Sequence, residues 1–351
     1  MSRLTELIQE LCPNGVEFKK IKEVYQRLKG TPITASKMKE IENPQGEIRI
    51  FAGGKTVINA KEIDIPNANI TRVPAVLVQS RGVIDAVYYD KPFTFKNEMW
   101  AYTTENPVSV KFLYYVLKNN MEYFRSAAAG MGSLPQISLP VTEDFEIPLP
   151  PIEVQREIVR ILDTFTELAA ELAAELAARK QQYAYYRDNL LTFRVDITRK
   201  SLDELCTISA AGDAPKDALS LTKTAEYQIP VISNGIGENA FYGYTDKPKI
   251  TEPAVTVAAR GTIGYAEYRD YPYYPIIRLL SVIPKNTAVL ATKYLYYCMQ
   301  GKKYNVPLGG IPQLTAPELK KVVIPVPPLP VQQRIVTVLD NFDDICSGLN
   351  I

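Results

Sequence analysis

Apolar residues along the chain follow two different periods. Short β-branched runs, Ala75-Val-Leu-Val-Gln79 and Ala254-Val-Thr-Val-Ala258, are bounded by glycine and proline and predict strands. Each is followed by a Tyr-rich stretch and then by one segment with helical spacing, 109–124 and 288–303. Gly/Pro loops come next, Gly130-Met-Gly-Ser-Leu-Pro135 and Pro307-Leu-Gly-Gly-Ile-Pro312. The pattern predicts α+β domains built on an irregular, mostly antiparallel sheet.

Between these regions the period changes. Pro150-Pro151 suits a helix start, and no glycine or proline follows until after Thr192. Within that stretch Glu167-Leu-Ala-Ala-Glu-Leu-Ala-Ala-Glu-Leu-Ala-Ala178 is one helix-forming tetrapeptide written three times. A helix of about 40 residues rises roughly 60 Å, far more than a globular helix needs. Leu162, Phe165, Ala169, Leu172, Leu176, Arg179, Tyr183, Tyr186 and Leu190 fall at spacings of three and four, the seam of a coiled coil. Arg179 is either a register-setting charge or a snorkelling surface residue.

A second helical stripe begins with Val331, Ile335, Val338, Leu339, Phe342 and Ile345. Gly348 is expected to end it, at about half the length of the first helix. Seam residues from about Leu172 to Leu190 would then lack an intramolecular partner. At roughly 1.5–3 kcal/mol per buried large apolar side chain, such a stripe calls for a cover: a partner, a second copy of the chain, or its own domains.

The chain also repeats itself. Ile147-Pro-Leu-Pro-Pro-Ile-Glu-Val-Gln-Arg-Glu-Ile-Val-Arg-Ile-Leu-Asp-Thr-Phe165 returns as Ile324-Pro-Val-Pro-Pro-Leu-Pro-Val-Gln-Gln-Arg-Ile-Val-Thr-Val-Leu-Asp-Asn-Phe342. Weaker echoes precede it in the same order: Arg81-Gly82 with Arg260-Gly261, Lys111-Phe-Leu-Tyr-Tyr115 with Lys293-Tyr-Leu-Tyr-Tyr297, Leu134-Pro-Gln136 with Ile311-Pro-Gln313. One repeat this long means a duplicated domain rather than a solenoid. The expected division is residues 1–150 and 194–329 for the two domains, 151–193 for the long helix and 330–351 for the shortened one.

Composition narrows the chemistry. With no histidine among 351 residues, serine–histidine triads, HExxH zinc sites and histidine general bases are impossible. Four scattered cysteines, Cys12, Cys206, Cys298 and Cys346, fit neither a zinc ribbon nor a disulfide framework and read as mostly buried thiols. Gly53-Gly-Lys-Thr56 lacks the leading glycine of a phosphate loop, with Arg49 in its place. The formal charge of +1 divides into +1 over residues 1–150, +4 over 193–329 and −2 over each of 151–192 and 330–351. A neutral total hides local basic faces, so nucleic-acid binding is permitted. A charged N-terminus and the lack of a long apolar run predict a cytoplasmic chain with no membrane partner.

Two domains that each close on a Pro-Pro-x-x-Val-Gln helix start, the tetrapeptide array, the ending Tyr183-Ala-Tyr-Tyr-Arg-Asp-Asn-Leu-Leu-Thr-Phe193 and the opening Glu10-Leu-Cys-Pro-Asn-Gly-Val-Glu-Phe18 carry a resemblance. Over nearly its whole length the chain resembles the DNA-specificity subunit of type I restriction-modification systems. The resemblance implies two target-recognition domains, each reading one half of a bipartite double-stranded DNA site. It implies an antiparallel coiled coil that separates them and recruits methyltransferase subunits and, through them, restriction subunits. It also implies no catalysis and no cofactor in this chain, with S-adenosylmethionine on the partner methyltransferase.

A stiff helix between duplicate domains also works as a ruler on geometric grounds, since each Glu-Leu-Ala-Ala unit moves the domains apart by about 6 Å, one or two base-pair steps. Base reading requires polar side chains at groove edges, supported by cations on phosphate. The candidates lie in loops that recur in both copies: Lys55, Arg81 and Gln136 in the first, Asn234, Arg260 and Gln313 in the second. The plainer alternative has Arg81 and Arg260 paired with carboxylates inside their domains. A different class of function, a non-catalytic scaffold whose duplicated domains bind protein, also fits a long helix between two copies.

Overall fold

The computed structural model describes residues 2–128, 134–193, 197–304 and 312–347. The chain divides into two compact units, Met1–Ala170 and Glu171–Ile351. Candidate loops 130–133 and 307–311 and the end expected at Gly348 lie outside the described residues.

The first unit opens with α1 (Arg3–Leu11), β1 (Phe18–Lys20), α2 (Ile21–Val24), β2 (Gln26–Leu28) and α3 (Ala35–Ile41). A hairpin of β3 (Ile48–Phe51) and β4 (Val57–Ala60) follows, then β5 (Ala75–Gln79), β6 (Asp85–Tyr89), β7 (Phe93–Phe95) and β8 (Trp100–Thr103). Helices α4 (Pro107–Asn119), α5 (Met121–Ala127) and α6 (Leu139–Glu143) and strand β9 (Glu146–Pro148) lead into α7 (Ile152–Leu191). The second unit continues with β10 (Arg199–Ser201), α8 (Leu202–Leu205), β11 (Cys206–Ala210), β12 (Ile229–Ile232), β13 (Phe241–Thr245) and β14 (Ala254–Val257). It ends with β15 (Ala266–Arg269), β16 (Tyr274–Pro275), β17 (Leu280–Pro284), α9 (Thr292–Met299), α10 (Ala316–Lys320), β18 (Val323–Pro325) and α11 (Leu329–Ser347).

The duplication survives in the pairing. A four-stranded antiparallel sheet has the order β2-β8-β5-β6 in the first unit and β11-β17-β14-β15 in the second. Each unit adds a three-stranded sheet, β4-β3-β7 or β13-β12-β16, with one parallel pair, and a two-stranded ribbon, β1-β9 or β10-β18. The near-continuous apolar runs predicted as strands are central, and every residue of β5 and β14 is buried. Helix α4 starts where Asn106 accepts the Val108 amide and Pro107 presets the first turn, and its Val110, Leu113 and Leu117 pack on Val76 and Val78. Tyr294 and Leu295 of α9 do the same against Val255 and Val257. The first helical segment runs past both predicted ends, from Pro107 to Ala127, broken into two pieces at Asn120, whereas the second is shorter than the pattern predicts because Gln300 ends it in extended backbone.

The repeated Val-Gln and Leu-Asp positions have structural work in both copies. Buried Gln155 donates to the Pro150 carbonyl at 2.8 Å, and Gln332 donates to Pro327 at the same distance, tying each proline turn to its helix. Asp163 takes Lys111 at 2.7 Å and the Tyr115 hydroxyl at 2.5 Å. Asp340 repeats this with Lys293, at 2.8 Å, and Tyr297. Lysine and tyrosine four apart share a helix face, so one carboxylate clamps both.

α7 is one unbroken helix of 40 residues. Its seam is covered unevenly, which corrects the expectation that Leu172 through Leu190 stand bare. In the second unit Tyr183 is buried in one core with Ile335 and Leu339, Leu190 packs on that core, and Tyr186 stacks on Phe342 at 5.4 Å. The shorter α11 reaches far enough to touch these residues, although Tyr186 stays 41% exposed. Leu162 and Leu176 are partly buried, whereas Phe165, Leu168 and Leu172 are 67%, 52% and 51% exposed. On the second helix Val331, Val338 and Ile345 stay exposed. Arg179 sits on the helix surface, 3.2 Å from Glu175 one turn earlier.

Candidate nucleic-acid interface

In the first unit the β3–β4 hairpin turn carries Gly53-Gly54-Lys55, the turn after β5 carries Arg81-Gly82, and the segment before α6 carries Gln136. Backbone hydrogen bonds join all three. Gly54 N–H donates to Arg81 O at 3.1 Å, Gly82 N–H to Pro135 O at 2.8 Å, and Ile137 N–H to Ser80 O at 2.9 Å. Arg81 and Gln136 face each other as an isolated antiparallel bridge. Gly54 (φ +72°) and Gly82 (φ +80°) are left-handed, and a Cβ on Gly82 would stand 3.7 Å from the Gly54 Cα. The left-handed backbone favours glycine at both turns, while the space beside them would admit a Cβ at ordinary contact distance. Lys55, Arg81 and Gln136 are exposed, and among the described residues their side chains have no hydrogen-bond or ion-pair partner. Lys96, in the turn between β7 and β8, pairs with Glu98 at 2.9 Å, and the Glu98 carbonyl accepts Ser80 Oγ at 2.5 Å.

The second unit assembles the corresponding turns with different chemistry. Arg260 donates through Nε and Nη2 to Gln313 Oε1 at 3.0 and 2.7 Å. Leu314 N–H donates to Ala259 O at 2.9 Å, the counterpart of the Ile137–Ser80 bond. The alternative of a carboxylate partner for Arg260 does not hold among the described residues: a neutral amide orients the guanidinium and leaves its charge uncompensated. Asn234 lies at the centre. Its Oδ1 accepts Ala259 N–H at 2.8 Å, its Nδ2 donates to Ile277 O, and its carbonyl accepts Thr262 Oγ1 at 2.7 Å. Both ends of the side-chain amide are thus occupied internally, which makes Asn234 a positioning residue for three turns.

Two candidates escaped sequence reasoning. Arg278 is exposed at φ +61°, beside Ile277 at φ +54°, in the turn between β16 and β17 that Asn234 holds. Left-handed backbone at a β-branched residue is strained and persists only where its surroundings enforce it. Lys96 occupies the matching β7–β8 turn. No sequence signal separates these cations from ordinary surface charge; their link to the cluster runs through Asn234 in one unit and Ser80–Glu98 in the other.

Among the described residues no three His, Cys, Asp or Glu side chains gather as a metal site, and no helix is long and apolar enough to cross a membrane. Burial pushes the Cys206 and Cys298 thiols up to about 12, and Cys12, Cys206 and Cys298 are all unpaired.

A family model for the type I restriction modification DNA specificity domain matches residues 13–178 and again 194–350. A Mycoplasma pneumoniae protein provisionally named a type I specificity subunit is 29% identical over 94% of this chain and 90% of its own length. The specificity subunit of the Escherichia coli type I restriction enzyme EcoR124I/EcoR124II is 29% identical over 70% of this chain and 66% of its own. The crystal structure of a type I restriction-modification S subunit from M. genitalium shares the fold, with a TM-score of 0.61 and 17% identity over 96% of this chain and 94% of that one. With two tandem matches spanning most of its length, the chain belongs to the type I restriction-modification DNA specificity family.

Proposed function

We propose that each unit reads one half of a bipartite, asymmetric double-stranded DNA site through its loop cluster. One observation carries this reading: each unit joins a set of turns across the same strand positions, and each set presents a cation with no carboxylate partner among the described residues. Lys55 and Arg81 do so in the first unit, beside the Gln136 amide, and Arg260 does so in the second, held by the Gln313 amide, with Asn234 holding the frame. Guanidinium and amide groups of this kind pair with guanine and adenine edges, and lysine with phosphate. Since the two clusters differ in side chains and internal bonding, they would read different half-sites.

In this reading residues 151–193 form the spacer between recognition domains 1–150 and 194–329, and the exposed seam around Phe165, Leu168 and Leu172 takes methyltransferase subunits, which bring restriction subunits with them. A second copy of this chain is the competing occupant. The chain itself is non-catalytic; methyl transfer from S-adenosylmethionine belongs to the partner. Binding-site selection on random duplex DNA tests the proposal. Two fixed half-sites with an unspecified spacer are expected, with affinity falling steeply as salt rises. Weak binding at every salt concentration would instead leave a protein-binding scaffold.

A further inference from the structure

A cavity of about 440 Å³ in the second unit gathers Arg187 of α7, Arg199 of β10 and Lys302 after α9. It lies within the range of about 300–1,000 Å³ typical of small-molecule sites. Among the described residues its one lining carboxylate, Asp188, is an exposed chain neighbour that accepts Arg187 Nε and Nη2 at 3.0 and 2.8 Å. The Arg199 side chain has no polar partner among the described residues, and the Lys302 ammonium has only the Val323 carbonyl, at 3.3 Å. Gly301 (φ +72°) makes the room: a Cβ there would stand 2.8 Å from Arg187 Nη1. Arg187 also lies over the Tyr183 ring at 5.9 Å, which holds the guanidinium in place.

Charge is left over. Residues ending α7 and α9 line the cavity, and each helix C-terminus supplies about half a negative charge. With Asp188 these offset about two of the three cations. Burial, opposed by Cys298 and reinforced by Arg199, holds the Lys302 ammonium below its usual range.

The other copy supplies an internal control. β1 pairs Phe18 with Pro148 as β10 pairs Arg199 with Pro325, so Phe18 stands where Arg199 does. The matched Lys-x-x-x-Tyr stretches put Asn120 where Lys302 is. The corresponding cavity of the first unit, about 520 Å³, is mostly apolar, with Val116, Val154, Ile158 and Leu162 in its wall; its one lysine among the described residues, Lys118, is paired with Asp85 at 2.7 Å. Folding of the shared scaffold therefore does not demand three cations at this place, and the one lysine of the first copy has a carboxylate partner.

We propose that the cavity of Arg187, Arg199 and Lys302 is a binding site for a phosphoryl-type anion, supplied by a DNA backbone or by free phosphate. Two guanidinium groups and an ammonium suit several oxygens of one tetrahedral anion. The test uses the full chain. Inorganic phosphate should raise its Tm beyond chloride at matched ionic strength, and both Lys302→Met and Arg199→Gln should abolish that increment. Salt titration on random duplex DNA separates the sources. A log–log slope smaller by about 0.9 in Lys302→Met assigns the phosphate to DNA, and an unchanged slope assigns it to the free ion. The proposal fails if phosphate stabilises no more than chloride, or if the increment survives both substitutions. It also fails if polyglutamate binds in a Lys302-dependent way while phosphate does not, since the pocket would then belong to an acidic protein segment. Arg199→Gln, at an exposed position, keeps the test open if Lys302→Met misfolds.

Discussion

Arg81 and Arg260 occupy matching turns but are held differently, the first without a side-chain partner among the described residues and the second by the Gln313 carbonyl. Arg81→Ala and Arg260→Ala should each relax sequence preference in one half-site only, costing about 1–3 kcal/mol of specific binding, as read by competition against single-base variants. Loss in both halves from either change would refute independent reading. Asn234→Ala should act differently. It leaves the Ala259 amide and the Ile277 carbonyl without their partner, so thermal stability should drop by about 1–3 kcal/mol together with binding at the second half-site. Unchanged stability would remove its positioning role. The recurrence of Arg-Gly and Pro-Gln in the two copies singled these residues out, but which amide faces outward was not legible, because hydrogen-bond partners 25 to 53 positions apart meet only after folding.

At the scale of elements, α7 and the two clamps decide the behaviour. Deleting one Glu-Leu-Ala-Ala unit from 167–178 should shorten the preferred spacer by one or two base pairs with both half-sites intact, since it removes about 6 Å of helix. An unaltered spacer in site selection would exclude the ruler. Beside the Asp340 clamp, Asp343 is partly buried; burial first, then Asp340 and Asp344, raises its carboxyl, and Lys293 opposes them. A carboxyl raised in the folded state favours folding most at low pH, and that benefit is lost as pH rises through its folded value. Asp343→Asn should therefore be more stable than the parent at neutral pH, with the gap closing on acidification through the carboxylate range, as followed by urea unfolding. A constant gap at all pH values would assign the effect to packing. Helix α7 was legible from its uninterrupted helix formers, whereas the coverage of Tyr183, Tyr186 and Leu190 depended on how far α11 reaches.

For the whole chain, duplication is the governing fact. Replacing residues 194–329 with those of a family relative should change one half-site and spare the other; alteration of both would mean that the units do not read DNA separately. The purified chain should transfer no methyl group from S-adenosylmethionine, and labelled methyl incorporation into DNA by it alone would overturn the non-catalytic reading.

Local chemistry settled what each segment would become. Glycine, proline and β-branched runs marked strands and turns, the tetrapeptide array set a long helix, and the motif repeated 177 residues apart announced two copies of one α+β scaffold. These properties arise from neighbours in the chain. Tertiary structure decided which charges remain available. Burial, backbone pairing across distant turns and the presence or absence of an opposing carboxylate left Lys55 and Arg81 without a described partner, fixed Arg260 on an amide, closed Asn234 inward and gathered Arg187, Arg199 and Lys302 around one cavity. Electrostatic availability depends on distance through space, and one-dimensional spacing does not encode it.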